Sequence, residues 1–332
     1  MKQSKIILLV IDSFIGIGLC VLASLAFGAR HVNFSEVIDI LIHKENTSFN
    51  AVIVNERIPR TVFSIMAGAA LGVSGSLMQA ITRNPIADPS ILGVNTGASL
   101  FVVSGIAFFG INTANQYIWF ALAGAALTAI FVYGIGSLGH GGATPIKLAL
   151  AGAATSAALS SLVSAIMLPR TDVMNTFRFW QVGSVSGATW EGIISVTPFL
   201  LVGIILGILV TPALNAMALG DDVATGLGVR TGLIRIIGAF AGVILCGAIT
   251  ALAGPIGFVG LMIPHTMRLI CGPNMRFILP MSAVGGAILL TISDVIGRLI
   301  GRPGELEAGI ITAFFGAPIL IIIARKAKVR SL

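Results

Sequence analysis

The chain has 332 residues, of which 56% are hydrophobic and 10% charged, with a formal net charge of +7. Mean hydropathy is +1.01, and a soluble domain that apolar would lack the polar surface needed to cover itself. The lysines and arginines cluster between apolar runs, so the positive charge reads as a topology signal and not as a nucleic-acid surface.

In chain order, apolar stretches fall at 6–28, 60–81, 91–111, 116–138, 146–168, 192–213, 232–253, 256–271, 277–298 and 307–324. Most approach the roughly 20 residues that cross about 30 Å of hydrocarbon as a helix. The alternation of barrel strands is absent. The expected fold is an all-α polytopic membrane protein with about ten transmembrane helices, in one transmembrane domain over residues 1–332. Lys2 and Lys5 precede the first run as they would in a signal peptide. That run continues to about Phe27 without a clear small-residue cleavage site, so it is read as the first span. The stretch from Ile236 to Pro264 carries no charge and is too long for one crossing. Gly and Pro in Ala253-Gly254-Pro255-Ile256-Gly257 are expected to break it.

Residues 60–168 and 232–324 each hold four spans, helices 2–5 and 7–10, and enter the membrane from opposite faces. That layout fits an inverted repeat. Gly68-xxx-Gly72 and Gly238-xxx-Gly242 have the spacing that lets helix backbones approach closely.

An even number of spans puts both termini on one side. Placing them in the cytoplasm leaves 12 of the 20 lysines and arginines inside: Lys2, Lys5, Arg83, Lys147, Arg230, Arg235, Arg268, Arg276, Arg325, Lys326, Lys328 and Arg330. The positive-inside rule favours that orientation. Arg57 and Arg60, in Asn-Glu-Arg-Ile-Pro-Arg-Thr just before Val62, then lie outside against the trend.

No Gly-x-x-x-x-Gly-Lys-[Ser/Thr] occurs, so any ATP hydrolysis belongs to another subunit. Cys20, Cys246 and Cys271 lack metal or redox spacing and read as core residues. His265, Met78, Met262 and Met267 read as packing rather than metal ligands. Asp294 and Arg298 are four residues apart on one helix, at pairing distance, with a structural and a functional role equally open.

Several segments together resemble the permease subunits of the vitamin B12 and iron-siderophore ABC importers. They are residues 57–99, from Arg-Ile-Pro-Arg to Gly-Ala-Ser; 219–229, LGDDVATGLGV; 254–272, GPIGFVGLMIPHTMRLICG; 293–298, SDVIGR; and 309–318, GIITAFFGAP. The resemblance implies a ten-helix subunit in the cell membrane, dimerised with a copy or paralogue around a translocation path, with both termini cytoplasmic. It implies two ATP-binding subunits and an extracytoplasmic substrate-binding protein or lipoprotein as partners. No cofactor is expected on this chain; ATP and Mg belong to the ATPase.

The resemblance also assigns residues. Within a coupling segment at 214–230, Leu219, Gly220, Asp221, Ala224, Leu227 and Gly228 match the loop that docks into the ATPase, with Asp221 where many relatives carry Glu. Asn84, Pro85 and Ile86 match the cytoplasmic gate, with Ile in place of Leu. Thr144 falls where relatives place a second gate layer, although a plain turn explains it as well. Arg57, Arg60 and Arg298 match arginines that meet glutamates of the binding protein, Pro59 fixing the start of the second helix. Anchoring in lipid headgroups is the other reading of Arg57 and Arg60. Glu307 replaces a proline common in relatives. The implied cargo is an iron(III)-siderophore, with cobalamin or haem next; an ion-coupled secondary transporter is the reading from another class.

Overall fold

The computed structural model describes residues 3–43, 47–85, 87–139 and 144–326, which form thirteen α-helices and no strand. From the N-terminus, α1 (Gln3–Ala26) and the short α2 (Phe34–His43) precede α3 (Phe49–Thr82). Then follow α4 (Val94–Ser104), α5 (Ala114–Gly136), α6 (Pro145–Met167) and α7 (Thr171–Gln181). The second half holds α8 (Trp190–Met217), α9 (Asp221–Gly226), α10 (Thr231–Ala253), α11 (Val259–Cys271), α12 (Met275–Ile300) and α13 (Ala308–Lys326).

Seven of these helices are long and apolar enough to cross a membrane, and three shorter apolar ones lie at 94–109, 259–271 and 308–322. They coincide with the ten expected spans. Exposed Phe14, Ile130, Leu209 and Phe314 form part of an apolar girdle suited to lipid.

Local sequence explains the main departures. The second span starts at Phe49, not at 60, because Ser48 caps the helix: its hydroxyl accepts from the Ala51 amide at 3.2 Å. Glu56, Arg57 and Arg60 lower the hydropathy of this first part without breaking the helix. Pro59 therefore sits inside α3 rather than at its start. Helices α2 and α7 lie between the expected spans, and neither carries a long apolar run. The break at 253–257 is present: α10 stops at Ala253, Gly254 takes φ 73°, and Phe258 at φ 68° leads into α11.

Helix α3 is the buried centre, packed against α12, α10 and α11. A Cβ on Gly68 or Gly72 would run into the carbonyls of Gly286 or Ser282 on α12, and one on Gly75 into the carbonyl of Gly260 on α11. Backbone meets backbone there, as the glycine spacing predicts. Gly238 and Gly242 are looser, facing the side chains of Ile81 and Met78. In each four-span half the second helix is short, α4 and α11; α4 follows a 3-10 turn at Pro89–Leu92, and α11 follows the non-helical residues 254–258. The bundle thus has two ends: the C-terminus of α1 meets Arg57 and Arg60 of α3 and Asp294 and Arg298 of α12 at one, beside α2, while α9 marks the other.

Candidate functional site

At the α2 end, α1 stops with its last carbonyls lacking helical partners, as every helix must. Three arginines from other elements meet them. Arg57 Nη1 donates to the carbonyls of Leu25 at 2.7 Å and Ala26 at 3.1 Å, and its Nη2 to that of Arg30 at 2.6 Å. Arg298 Nη1 donates to the carbonyls of Ser24 at 2.9 Å and Phe27 at 3.0 Å, and its Nη2 to the Ser24 hydroxyl at 2.9 Å. Arg302 donates to the Gly28 carbonyl. Cations at a helix C-terminus also complement its dipole. A Cβ at Gly28 would collide with the Arg57 guanidinium, so that residue has to be small.

Buried guanidiniums need a counter-charge. Asp294 on α12 supplies it, at 1% exposure. It accepts from Arg60 Nη2 at 2.7 Å and Nε at 3.0 Å, and pairs with Arg298 at 2.9 Å. The outer side of Arg60 reaches Glu305 at 2.7 Å, whose side chain is 35% exposed. Expected pairing of Asp294 with Arg298 is present; the second arginine on the same carboxylate was not anticipated.

Two of the three arginines expected at a docking surface are buried. Arg57 and Arg298 are 9% and 1% exposed and engaged with the end of α1. Instead of a surface triad, they form a clamp holding α1, α3 and α12 together. Of the three, Arg60 is the one linked to a partly exposed carboxylate.

At the opposite end, α9 is bounded by Gly220 at φ 123° and Gly228 at φ 83°, conformations glycine adopts most readily. Between them Ala224 is buried, while Leu219, Val223 and Leu227 are 68%, 49% and 65% exposed. Asp221 ties the element down, accepting from Arg83 Nη2 at 2.6 Å and Arg235 Nη2 at 2.7 Å. Arg83, the left-handed C-cap of α3, also donates to the Met217 carbonyl at 2.5 Å. In sequence Arg83 and Arg235 figure only among the twelve basic residues placed on the inner side. Their convergence on one carboxylate shows only in three dimensions.

Asn84 and Pro85 follow directly on the α3 cap, and Ile86 lies outside the described residues. Thr144 is the N-cap of α6, its hydroxyl accepting from the Lys147 amide at 3.4 Å. Thr82 and Leu148 line one small chamber, so the end of α3 and the start of α6 are neighbours. Among the described residues no group of three or more His, Cys, Asp and Glu side chains gathers in metal-binding geometry.

Ten apolar helices packed about a glycine-lined centre, with an arginine clamp joining three of them at one end and the short α9 at the other, define a multi-pass membrane permease. Residues 16–326 match the FecCD transport family, and the chain belongs to that family. It is 39% identical to the probable siderophore transport system permease protein YfiZ of Bacillus subtilis (strain 168), over 98% of this chain and 97% of the relative. It is 41% identical to the ferric enterobactin transport system permease protein FepD of Escherichia coli (strain K12), over 91% and 90%. A solved structure of a metal-chelate type ABC transporter in an inward-facing conformation superposes with a TM-score of 0.82 at 25% identity, over 96% of this chain and 98% of that one.

Proposed function

We propose that this chain is the non-catalytic permease subunit of an ABC importer that carries an iron(III)-siderophore into the cell. The α9 end faces the cytoplasm together with both termini, and the α2 end faces outward. The observation that carries the coupling role is α9 itself. Leu219, Val223 and Leu227 stay exposed outside the spans, on an element that Asp221 fastens to α3 and α10. An exposed apolar face on a rigid support suits a groove in a partner subunit, and a push on α9 would pass directly to two central helices. Relatives named for siderophore and ferric enterobactin transport support the cargo.

A second permease chain completes the path. The exposed side of α6 carries Ala153, Ala157, Ser160, Ser161 and Ser164, small side chains that permit close helix approach. An external binding protein delivers the chelate to the α2 end, reaching Arg60 by replacing Glu305 with a carboxylate of its own. ATP and Mg reside in the ATPase subunits.

Coexpression with the ATP-binding subunit tests the coupling role. Leu227→Glu should cause that subunit to be lost on purification while the permease itself stays folded, because the side chain is exposed. Retention of the ATPase by this variant would overturn the assignment of α9.

A further inference from the structure

On the side of the bundle, α5, α8 and α10 enclose a crevice of about 470 Å³. Ala126, Ile130, Phe199 and Phe240 line it, and apart from Tyr133 every lining residue is apolar or glycine. Water would find almost no hydrogen-bond partner there. Ile130 and Phe240, at 69% and 55% exposure, face outward where the bilayer lies, so the natural occupant is hydrocarbon. Along α10 the crevice runs from Ile236 to Gly247. At 1.5 Å per residue that is about 16 Å, close to half of a hydrocarbon core about 30 Å thick. One acyl chain of one leaflet has that length.

The end of the crevice toward α9 is polar and basic. It shares Leu92, Tyr133 and Ala239 with a small adjoining chamber that Arg235 also lines. Arg235 gives one Nη to Asp221, but its Nε is buried without a hydrogen-bond partner. Arg230 is exposed just before α10 begins. The charges gathered at this end are Arg83, Arg230 and Arg235 against Asp221 and Asp222. Arg235 lines the chamber that adjoins the acyl-sized groove, and its side chain as a whole stays 26% exposed; a partly accessible guanidinium beside the groove's end, with positive charge in excess, suits a phosphate ester.

We propose that this crevice is a binding site for an anionic phospholipid, one acyl chain lying between α5 and α10 and the headgroup phosphate meeting Arg235. The lipid would touch the arginine that fastens α9, so the site sits beside the coupling element. The inference rests on the shape and charge of this chain alone and stands apart from the choice of cargo.

The test offers the detergent-solubilised full chain equal amounts of phosphatidylglycerol and phosphatidylcholine and counts retained lipids by native mass spectrometry. Phosphatidylglycerol should be preferred by about fivefold, the effect of one nearby basic side chain. Arg235→Gln should abolish that preference. Asp221→Asn, which removes the same ion pair but keeps the arginine, should preserve or strengthen it. Ala126→Phe, at an exposed lining position, should reduce retention of both lipids. Ile130→Trp at the mouth makes the same measurement should the first variant not fold.

Equal retention of the two lipids by the unmodified chain would overturn the headgroup site. So would a loss of preference in Asp221→Asn equal to that in Arg235→Gln. Full retention in both groove variants, or displacement of the lipid by millimolar inorganic phosphate, would overturn the groove.

Discussion

Asp294 holds two guanidiniums with almost no water to share the charge, and it is the residue on which the α2 end depends. Removing one partner of a buried ion pair leaves an uncompensated charge, at a cost of about 3–5 kcal/mol. Asp294→Asn should therefore lower the thermal midpoint of the detergent-solubilised chain sharply. An unchanged midpoint would mean that the cluster is not a structural clamp. Glu305 is different, because surface pairs contribute about 0–1 kcal/mol. Glu305→Gln should leave stability nearly intact and tighten the docking of a binding protein several-fold by freeing the outer side of Arg60. Weaker docking would show that Glu305 itself is a contact. The sequence made the Asp294–Arg298 pair legible, since four residues on a helix is pairing distance. It could not reveal Arg60 as the other partner, 234 residues away from Asp294. Nor could it show that Arg57 is occupied by the end of α1, because backbone carbonyls leave no mark in a residue pattern.

Among the elements, α3 shows what hydropathy reads and what it misses. Its apolar part and its glycine spacing were visible, and the close approach to α12 follows from them. Its first eleven residues were not, because charges that satisfy partners inside the fold look in sequence like the end of a span. The short helices α2 and α7 escaped for a related reason: each buries only a narrow face, Val37 and Ile40 of α2 and Val173 and Phe177 of α7, and neither has an apolar run long enough to span. A Gly72→Leu substitution tests the packing directly. Its side chain would meet the Ser282 carbonyl, and overpacking of a close interface costs about 1–3 kcal/mol or more. Size-exclusion chromatography should show a smaller monodisperse fraction, whereas a normal profile would mean that α3 and α12 have room to spare. Helix α9 was legible as a segment through its flanking glycines and its resemblance, but its fastening was not. Asp221 draws one arginine from the end of α3 and another from the start of α10, and only the fold brings those two ends together.

At the scale of the whole molecule, the ten-span layout agrees with what composition suggested, and the family with the resemblance carried by motifs such as residues 57–99 and 219–229. Relatives named for siderophore and ferric enterobactin transport support an iron(III)-siderophore as the cargo. The clamp at one end and α9 at the other are joined by α3, which contributes Arg57 and Arg60 to the first and, through its C-cap Arg83, a hold on the second. A binding protein at the α2 end and an ATPase at the α9 end would thus act on one helix. The account is tested most directly by assembling the permease with its ATP-binding subunits and binding protein in lipid nanodiscs and measuring ATP turnover. It predicts that binding protein loaded with an iron(III)-siderophore raises turnover several-fold, and that this response is lost in Leu227→Glu. Turnover indifferent to the ferric chelate, or uptake in vesicles that stops when the ion gradient is collapsed at constant ATP, would contradict it.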